Sequence, residues 1–197
     1  WAWGYNYQGI LGQAYVNNVS SPVQVGALTN WASPKYNFMN NNGAVKTDGT
    51  LWTWGPGAFG GLGHGNTTTY SSPKQVGALT NWLLITGTYS TSLAIKTDGT
   101  LWSWGYGNTG VLGLGNTTNY SSPKQVGALT SWVNIVAGRY KTCMAKKTDG
   151  TLWAWGNNTY GELGLGNQTN YSSPKQVGLL ATWSNVAIGN NHTVALG

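Results

Sequence analysis

The sequence predicts an all-β fold built of β-propeller blades, as four repeats of about 50 residues. Three observations predict it. The pair Trp3-Gly4 returns as Trp54-Gly55, Trp104-Gly105 and Trp155-Gly156, at spacings of 51, 50 and 51. Pro22, Pro73, Pro123 and Pro174 keep the same phase, as do Trp31, Trp82, Trp132 and Trp183, and the one-residue shortfall falls between Trp82 and Gly87. Short apolar runs flank Asp-Gly pairs while no segment sustains a 3.6-residue apolar period, so helices should be few. The chain reads as one domain whose units divide at residues 1–50, 51–100, 101–151 and 152–197.

The elements of a unit follow in order. Residues 92–96 alternate in bulk and form a short strand, Thr97-Asp98-Gly99-Thr100 forms a tight turn, and Leu101-Trp102-Ser103-Trp104 forms the returning strand. Aspartate in such a turn accepts local backbone hydrogen bonds, and glycine supplies the positive φ. The same phrase assigns turn roles to Asp48 with Gly49, and to Asp149 with Gly150. Leu101 on one face and Trp102 and Trp104 on the other are all large, as expected of a sheet buried on both faces. Gly110-Val111-Leu112-Gly113-Leu114-Gly115 then leads into a long polar loop, residues 116–123, which ends in Lys124-Gln125-Val126. A further short strand covers residues 132–136.

Composition narrows the function. Charged residues are 7% of the chain, against about 25% in ordinary soluble proteins. With 12 tryptophans and 30 glycines, the chain is unlike a disordered one, and no apolar run is long enough to cross a membrane as a helix. The four acidic residues are Asp48, Asp98, Asp149 and Glu162, and turns claim the three aspartates. That leaves Glu162 without an assignment, too little for paired-carboxylate hydrolysis or a carboxylate metal cage. The net charge of +6 includes a single arginine, Arg139, which argues against a phosphate or base reader. Cys143 stands alone, so packing rather than disulfides must hold the fold. The sequence begins at Trp1 and reads as a processed chain or a piece of a longer one.

Leu101-Trp102-Ser103-Trp104-Gly105, the glycine phrase of residues 110–115, Ser122-Pro123-Lys124-Gln125-Val126 and the Lys-Thr-Asp-Gly-Thr phrase from Lys147 together resemble the repeats of the regulator-of-chromosome-condensation family. The resemblance covers almost the whole chain. It implies a β-propeller, seven-bladed in the family, and a role in binding: the family includes a nuclear nucleotide-exchange factor, a secreted β-lactamase inhibitor, and bacterial and phage proteins. The Lys-Thr-Asp-Gly-Thr-Leu-Trp form is most similar to the bacterial and phage branch. The chain departs from the pattern in having four units. A family histidine survives only as His192, where Lys141, Ser90 and Asn40 hold the matching positions, and residues 38–42 replace a glycine-led segment. The sequence opens in the second strand of a hairpin and stops in the first. Three readings follow: a slice of a seven-bladed ring, a closed four-bladed ring, or chains joined end to start.

Candidate sites follow from the repeat. Tyr70, Tyr120 and Tyr171 recur in phase, as do Lys74, Lys124 and Lys175, and in a propeller such positions form a ring on one face. Tyrosine beside lysine suits binding, although the same residues could pack their own loop or stand as solvated tips. Val19 and Val23 interrupt the ring in the first unit. Gly61-Leu62-Gly63-His64-Gly65 lacks the lysine and helix of a phosphate loop, and reads as a turn against a blade edge. Ser72, Ser122 and Ser173 have no nucleophile-elbow context, and His64, His192 and Cys143 fall in different phases, unlike zinc ligands. The Asn-x-Ser/Thr sequons recur with the repeat and read as turn chemistry.

The expectation is therefore a protein without catalysis or cofactor, acting as a structural or binding module. The favoured setting is extracellular: a virion structural or decoration protein of a phage, or a bacterial surface protein. Protein partners are expected, through self-association or a larger assembly, with a glycan as a further candidate and no role for nucleic acid or membrane insertion. The alternative is a regulatory protein binder resembling the β-lactamase inhibitor or the exchange factor.

Overall fold

The structure, a computed structural model, describes residues 1–26, 30–32, 42–139 and 141–197. The irregular segment at residues 38–41 lies outside the described residues. Strands β1 (Ala2–Gly4) and β2 (Val19–Val23) make a two-stranded ribbon. A three-stranded sheet follows from β3 (Asn42–Val45), β4 (Leu51–Gly55) and β5 (Tyr70–Gln75), with Trp31 bridging Lys46 beside it. Two four-stranded sheets come next. The first holds β6 (Trp82–Gly87), β7 (Thr91–Lys96), β8 (Leu101–Gly105) and β9 (Tyr120–Gln125). The second holds β10 (Trp132–Ala137), β11 (Thr142–Lys147), β12 (Leu152–Gly156) and β13 (Tyr171–Gln176). A second ribbon, β14 (Asn185–Ile188) with β15 (Thr193–Leu196), ends the array.

All pairings are antiparallel between sequence neighbours, as expected of propeller blades. Helical structure among the described residues is confined to three short 3₁₀ turns, Tyr7–Gly9, Ala58–Gly60 and Asn108–Gly110. Each sheet of three or four strands straddles two sequence units: β6 and β7 fall before residue 101, and β8 and β9 after it.

Alternation along each strand sends side chains into two core layers. On β8, Trp104 packs backward with Leu51, Val76 and Trp82, while Leu101 packs forward with Val126, Trp132 and Trp155. A third layer joins Met144, Leu152 and Leu163 to Val186 of the last ribbon. Neighbouring units are also tied by hydrogen bonds. The indole N–H groups of Trp54, Trp104 and Trp155 donate to the carbonyls of Ile10, Gly61 and Val111 at 3.1, 3.0 and 2.9 Å.

Two expectations are corrected. The polar stretch read as a loop is a strand from Tyr120 onward, and likewise from Tyr70 and Tyr171. Tyr70, Tyr120, Tyr171, Lys74, Lys124 and Lys175 therefore lie on the last strands of their sheets, each carrying its proline at an edge where no donor is missed. Glu162 also has a structural place. It is buried, its carboxylate accepts from the Tyr160 backbone N–H at 2.8 Å and from Asn157 Nδ2 at 3.3 Å, and it closes its own turn.

The last ribbon is slipped by one residue. In β10–β11 the Gly138 N–H donates to the Thr142 carbonyl; in β14–β15 the Gly189 N–H donates to that of His192, one residue out of phase. A one-residue slip exchanges the faces of a strand. Val194 and Leu196 are consequently exposed, whereas Cys143 and Ala145, their counterparts by sequence phase, are buried.

Candidate binding surface

The hairpin turns come first, because they fix the strands that carry the surface. Asp98 Oδ1 accepts from the Thr100 backbone N–H at 2.9 Å and from its hydroxyl at 2.7 Å, and that hydroxyl accepts from Trp102 Nε1 at 2.8 Å. Asp48 and Asp149 repeat the same chain through Thr50 to Trp52 and through Thr151 to Trp153. The threonine hydroxyls hold the three aspartate carboxyls below their usual range, with the threonine N–H groups next in effect. Gly49, Gly99 and Gly150 take φ of +78°, +76° and +79° in these turns.

On the outer strand β5, the Lys74 ammonium donates to the Tyr70 hydroxyl at 2.8 Å and lies 4.1 Å from the ring centroid. Asn66 Nδ2 donates to the same oxygen at 3.4 Å, and the Lys74 bond is the main influence lowering the phenol's pKa. The pattern repeats more loosely: Lys124 stands 5.7 Å from the Tyr120 ring and Lys175 stands 5.6 Å from the Tyr171 ring. Asn116 and Asn167 reach those two hydroxyls at 3.3 and 3.1 Å. Each asparagine also accepts from the backbone N–H two residues on, in an Asx turn, which gives these sequons a structural role.

A groove of about 500 Å³ opens beside Tyr70 and Lys74. Trp82, Trp102, Leu79 and Pro123 give it apolar walls, and Lys74 and His64 give it polar edges. His64 Nε2 lies 3.0 Å from the Thr53 hydroxyl, and its ring meets Tyr70 edge-on at 5.0 Å. Burial, followed by the Lys74 charge, pushes the imidazole pKa down to about 4, so it is neutral at pH 7. The groove unites Lys74 with tryptophans of the neighbouring sheet, which the repeat phase alone did not show.

Three lysines were passed over in the sequence. Lys96 is buried with its ammonium 3.9 Å from the Trp102 ring and 4.9 Å from the Trp82 ring. Lys46 sits between Trp52 and Trp31 at 3.7 and 5.5 Å, and Lys147 sits between Trp153 and Trp132 at 4.1 and 5.3 Å. Cation–π contacts of this kind contribute about 1–2 kcal/mol when desolvated. Burial lowers the Lys96 pKa, partly offset by Asp98. The available signal was the lysine that opens each Lys-Thr-Asp-Gly-Thr-Leu-Trp phrase, because a three-residue turn (residues 97–99 in the second phrase) returns the tryptophan to the lysine's end of the hairpin.

The serines and the remaining candidates stay apart. Ser72, Ser122 and Ser173 lie on the outer strands, and Cys143 is wholly buried, its thiol pKa pushed up by burial alone. Among the described residues no three histidine, cysteine or acidic side chains gather as metal ligands, and no helix is long and apolar enough to cross a membrane.

The sequence model of the regulator of chromosome condensation repeat matches residues 48–95, 98–145 and 149–196. The chain belongs to this family. Among its repeat-bearing relatives, the ultraviolet-B receptor UVR8 of Arabidopsis thaliana is 32% identical over 89% of the chain and 41% of its own length. The human E3 ubiquitin-protein ligase HERC2 is 30% identical over 99% of the chain but only 3% of its own length. The chain thus spans well under half of these relatives. Human WBSCR16 superposes on 98% of the chain and 52% of its own, with a TM-score of 0.85 at 24% identity. Prp20p of Saccharomyces cerevisiae, in a structure titled for its binding to Gsp1p and histones, superposes with a TM-score of 0.76 at 20% identity, over 97% of the chain and 49% of its own. These structures share the propeller fold of the regulator of chromosome condensation repeats, in which complete blades are four-stranded sheets like β6–β9.

Proposed function

We propose that the chain is a non-catalytic protein-binding propeller segment, serving as a structural or decoration component on a virion or bacterial surface. The groove beside Tyr70 and Lys74 carries the binding reading. Its apolar walls and single lysine at the edge suit a peptide segment with an aliphatic or aromatic side chain near a carboxylate. The four carboxylates support the absence of catalysis, since each accepts hydrogen bonds within its own turn. A surface of asparagine, threonine and serine with few charges supports the extracellular setting, because it discourages charge-driven contacts. Affinity capture from lysate of the source, with wild type beside Lys74→Glu, tests the groove: the reading expects one partner that the variant loses. Immunogold labelling of the source particles tests the setting, and protein found only free in the cytosol overturns it.

The relatives favour a second reading, a regulatory binder. Prp20p is described with Gsp1p and histones, and UVR8 is a receptor. Capture by a small GTPase or a β-lactamase would select it over the first. A glycan array tests the remaining binding class.

A further inference from the structure

We propose, on the reading of the groove beside Tyr70 and Lys74 as a peptide site, that His64 selects its ligand: imidazole Nδ1 accepts a backbone N–H of a bound peptide whose acidic side chain sits on Lys74 and Tyr70. The repeat isolates His64. Every residue that lines the groove recurs at the same phase one repeat later, except His64, where Leu114 stands. The apolar walls and the lysine are therefore common to both repeats, and one hydrogen-bonding side chain distinguishes them.

Hydrogen-bond accounting fixes the tautomer. Thr53 Oγ1 lies 2.7 Å from the Leu62 carbonyl oxygen, and since that oxygen has no proton, the hydroxyl proton lies between them. Ser103 Oγ donates to the Leu112 carbonyl at 2.6 Å in the same way, in the repeat where Leu114 replaces the histidine. With its one proton committed, the Thr53 oxygen accepts from His64 Nε2 at 3.0 Å. Nε2 thus carries the hydrogen of the neutral ring, and Nδ1 keeps the lone pair. The ring is neutral at pH 7, because burial and then the Lys74 charge depress its pKa to about 4. Nδ1 accepts from no described residue and is not sealed from solvent, so its lone pair is open to a ligand.

Lys74 and Tyr70 supply the matching donors. The Tyr70 oxygen accepts from Lys74 at 2.8 Å and from Asn66 at 3.4 Å, which leaves the phenol's own proton to donate outward. The pair is closed in this repeat, with Lys74 4.1 Å from the ring, against 5.7 Å for Lys124 and Tyr120. Among the described residues no acidic side chain lines the groove, so its charge is positive. Two adjacent donors suit the two oxygens of a carboxylate, and a separate acceptor suits an amide N–H. A peptide in which an acidic residue adjoins leucine, phenylalanine or tryptophan brings both, with the large side chain against Trp82, Trp102 and Leu79. An acceptor left unpaired under a bound ligand costs affinity, so ligands without that N–H are rejected.

Calorimetric titration of the 197-residue chain with blocked peptides of this kind, selected from an array, tests the assignment. Each backbone amide of the tightest peptide is N-methylated in turn. One N-methyl form should bind wild type about tenfold more weakly. His64→Leu should weaken the parent peptide by a similar factor and lose nothing further to that methylation. His64→Asn, whose amide oxygen takes the place of Nδ1, should recover part of the affinity. His64→Leu installs the residue of the next two repeats, and circular dichroism confirms its fold. Binding that Lys74→Glu abolishes but His64→Leu leaves unchanged, or a methylation penalty equal in wild type and His64→Leu, would overturn the role of His64 and leave the groove reading standing. No peptide bound at millimolar concentration, or binding unaffected by Lys74→Glu, would overturn both.

Discussion

Trp3 and Trp104 occupy the same position of the same repeat on strands of nearly the same sequence, Ala-Trp-Gly and Ser-Trp-Gly, yet one indole is exposed and the other is buried. The hairpin does not bury its own tryptophan; the turn of the preceding unit does, through the Gly61 carbonyl and the Leu51–Val76 layer. Among the described residues, no such layer packs on the Trp3 face of β1–β2. The β14–β15 ribbon differs from the middle sheets for another reason, its register, since the one-residue slip turns Val194 and Leu196 outward. Repeat sequence therefore specifies the strand, while stacking and register specify what it buries, as expected of arrays in which each unit contacts only its neighbours.

The largest test of this contrast is truncation of the tryptophan itself. Trp155→Ala should cost about 3–5 kcal/mol, and Trp3→Ala under about 0.5 kcal/mol in dilute solution, both read from urea unfolding. Comparable losses would break the comparison. Next in size is the glycine after each tryptophan. Gly105 and Gly4 both have positive φ, +101° and +107°, but a Cβ on Gly105 comes 2.2 Å from the Ser90 carbonyl, while Gly4 faces open space. Alanine at either should cost about 1–2 kcal/mol for the backbone, with a further loss of about 1–2 kcal/mol at Gly105 alone.

The third test lies within the stacked region. His64 holds the position of Leu114 and Leu165, and its folded pKa of about 4 lies below the ordinary 6.5. The unfolded chain then takes up the proton first, so stability is full above pH 6.5 and falls as the pH drops toward 4. His64→Leu should flatten that part of a melting-temperature profile. The smallest effect is at the turn tips: Thr109 is β-branched at φ +63°, and Thr109→Gly should stabilise by about 0.5 kcal/mol in the same unfolding assay.

The hairpins were legible because Asp-Gly turns and alternating tryptophans are local signals. Asp98, Thr100 and Trp102 lie within five residues and settle their geometry among themselves. The outer strands were not legible. Tyr120–Gln125 is polar and proline-bearing, and only the hydrogen-bonding groups of β8 make it a strand. The groove was hidden for a related reason, since Lys74 and Trp102 meet only when sheets stack. Glu162 lacked a motif because its partners, Tyr160 and Asn157, belong to a turn whose other copies carry glycine or an aliphatic residue at that place.

Amide hydrogen exchange resolved by strand tests most directly the claim that stacking, rather than hairpin pairing, holds the molecule. In dilute solution the amides of β7, β8, β11 and β12 should exchange orders of magnitude more slowly than those of β1–β2 and β14–β15. Equal protection of the ribbons and the middle sheets under those conditions would contradict it.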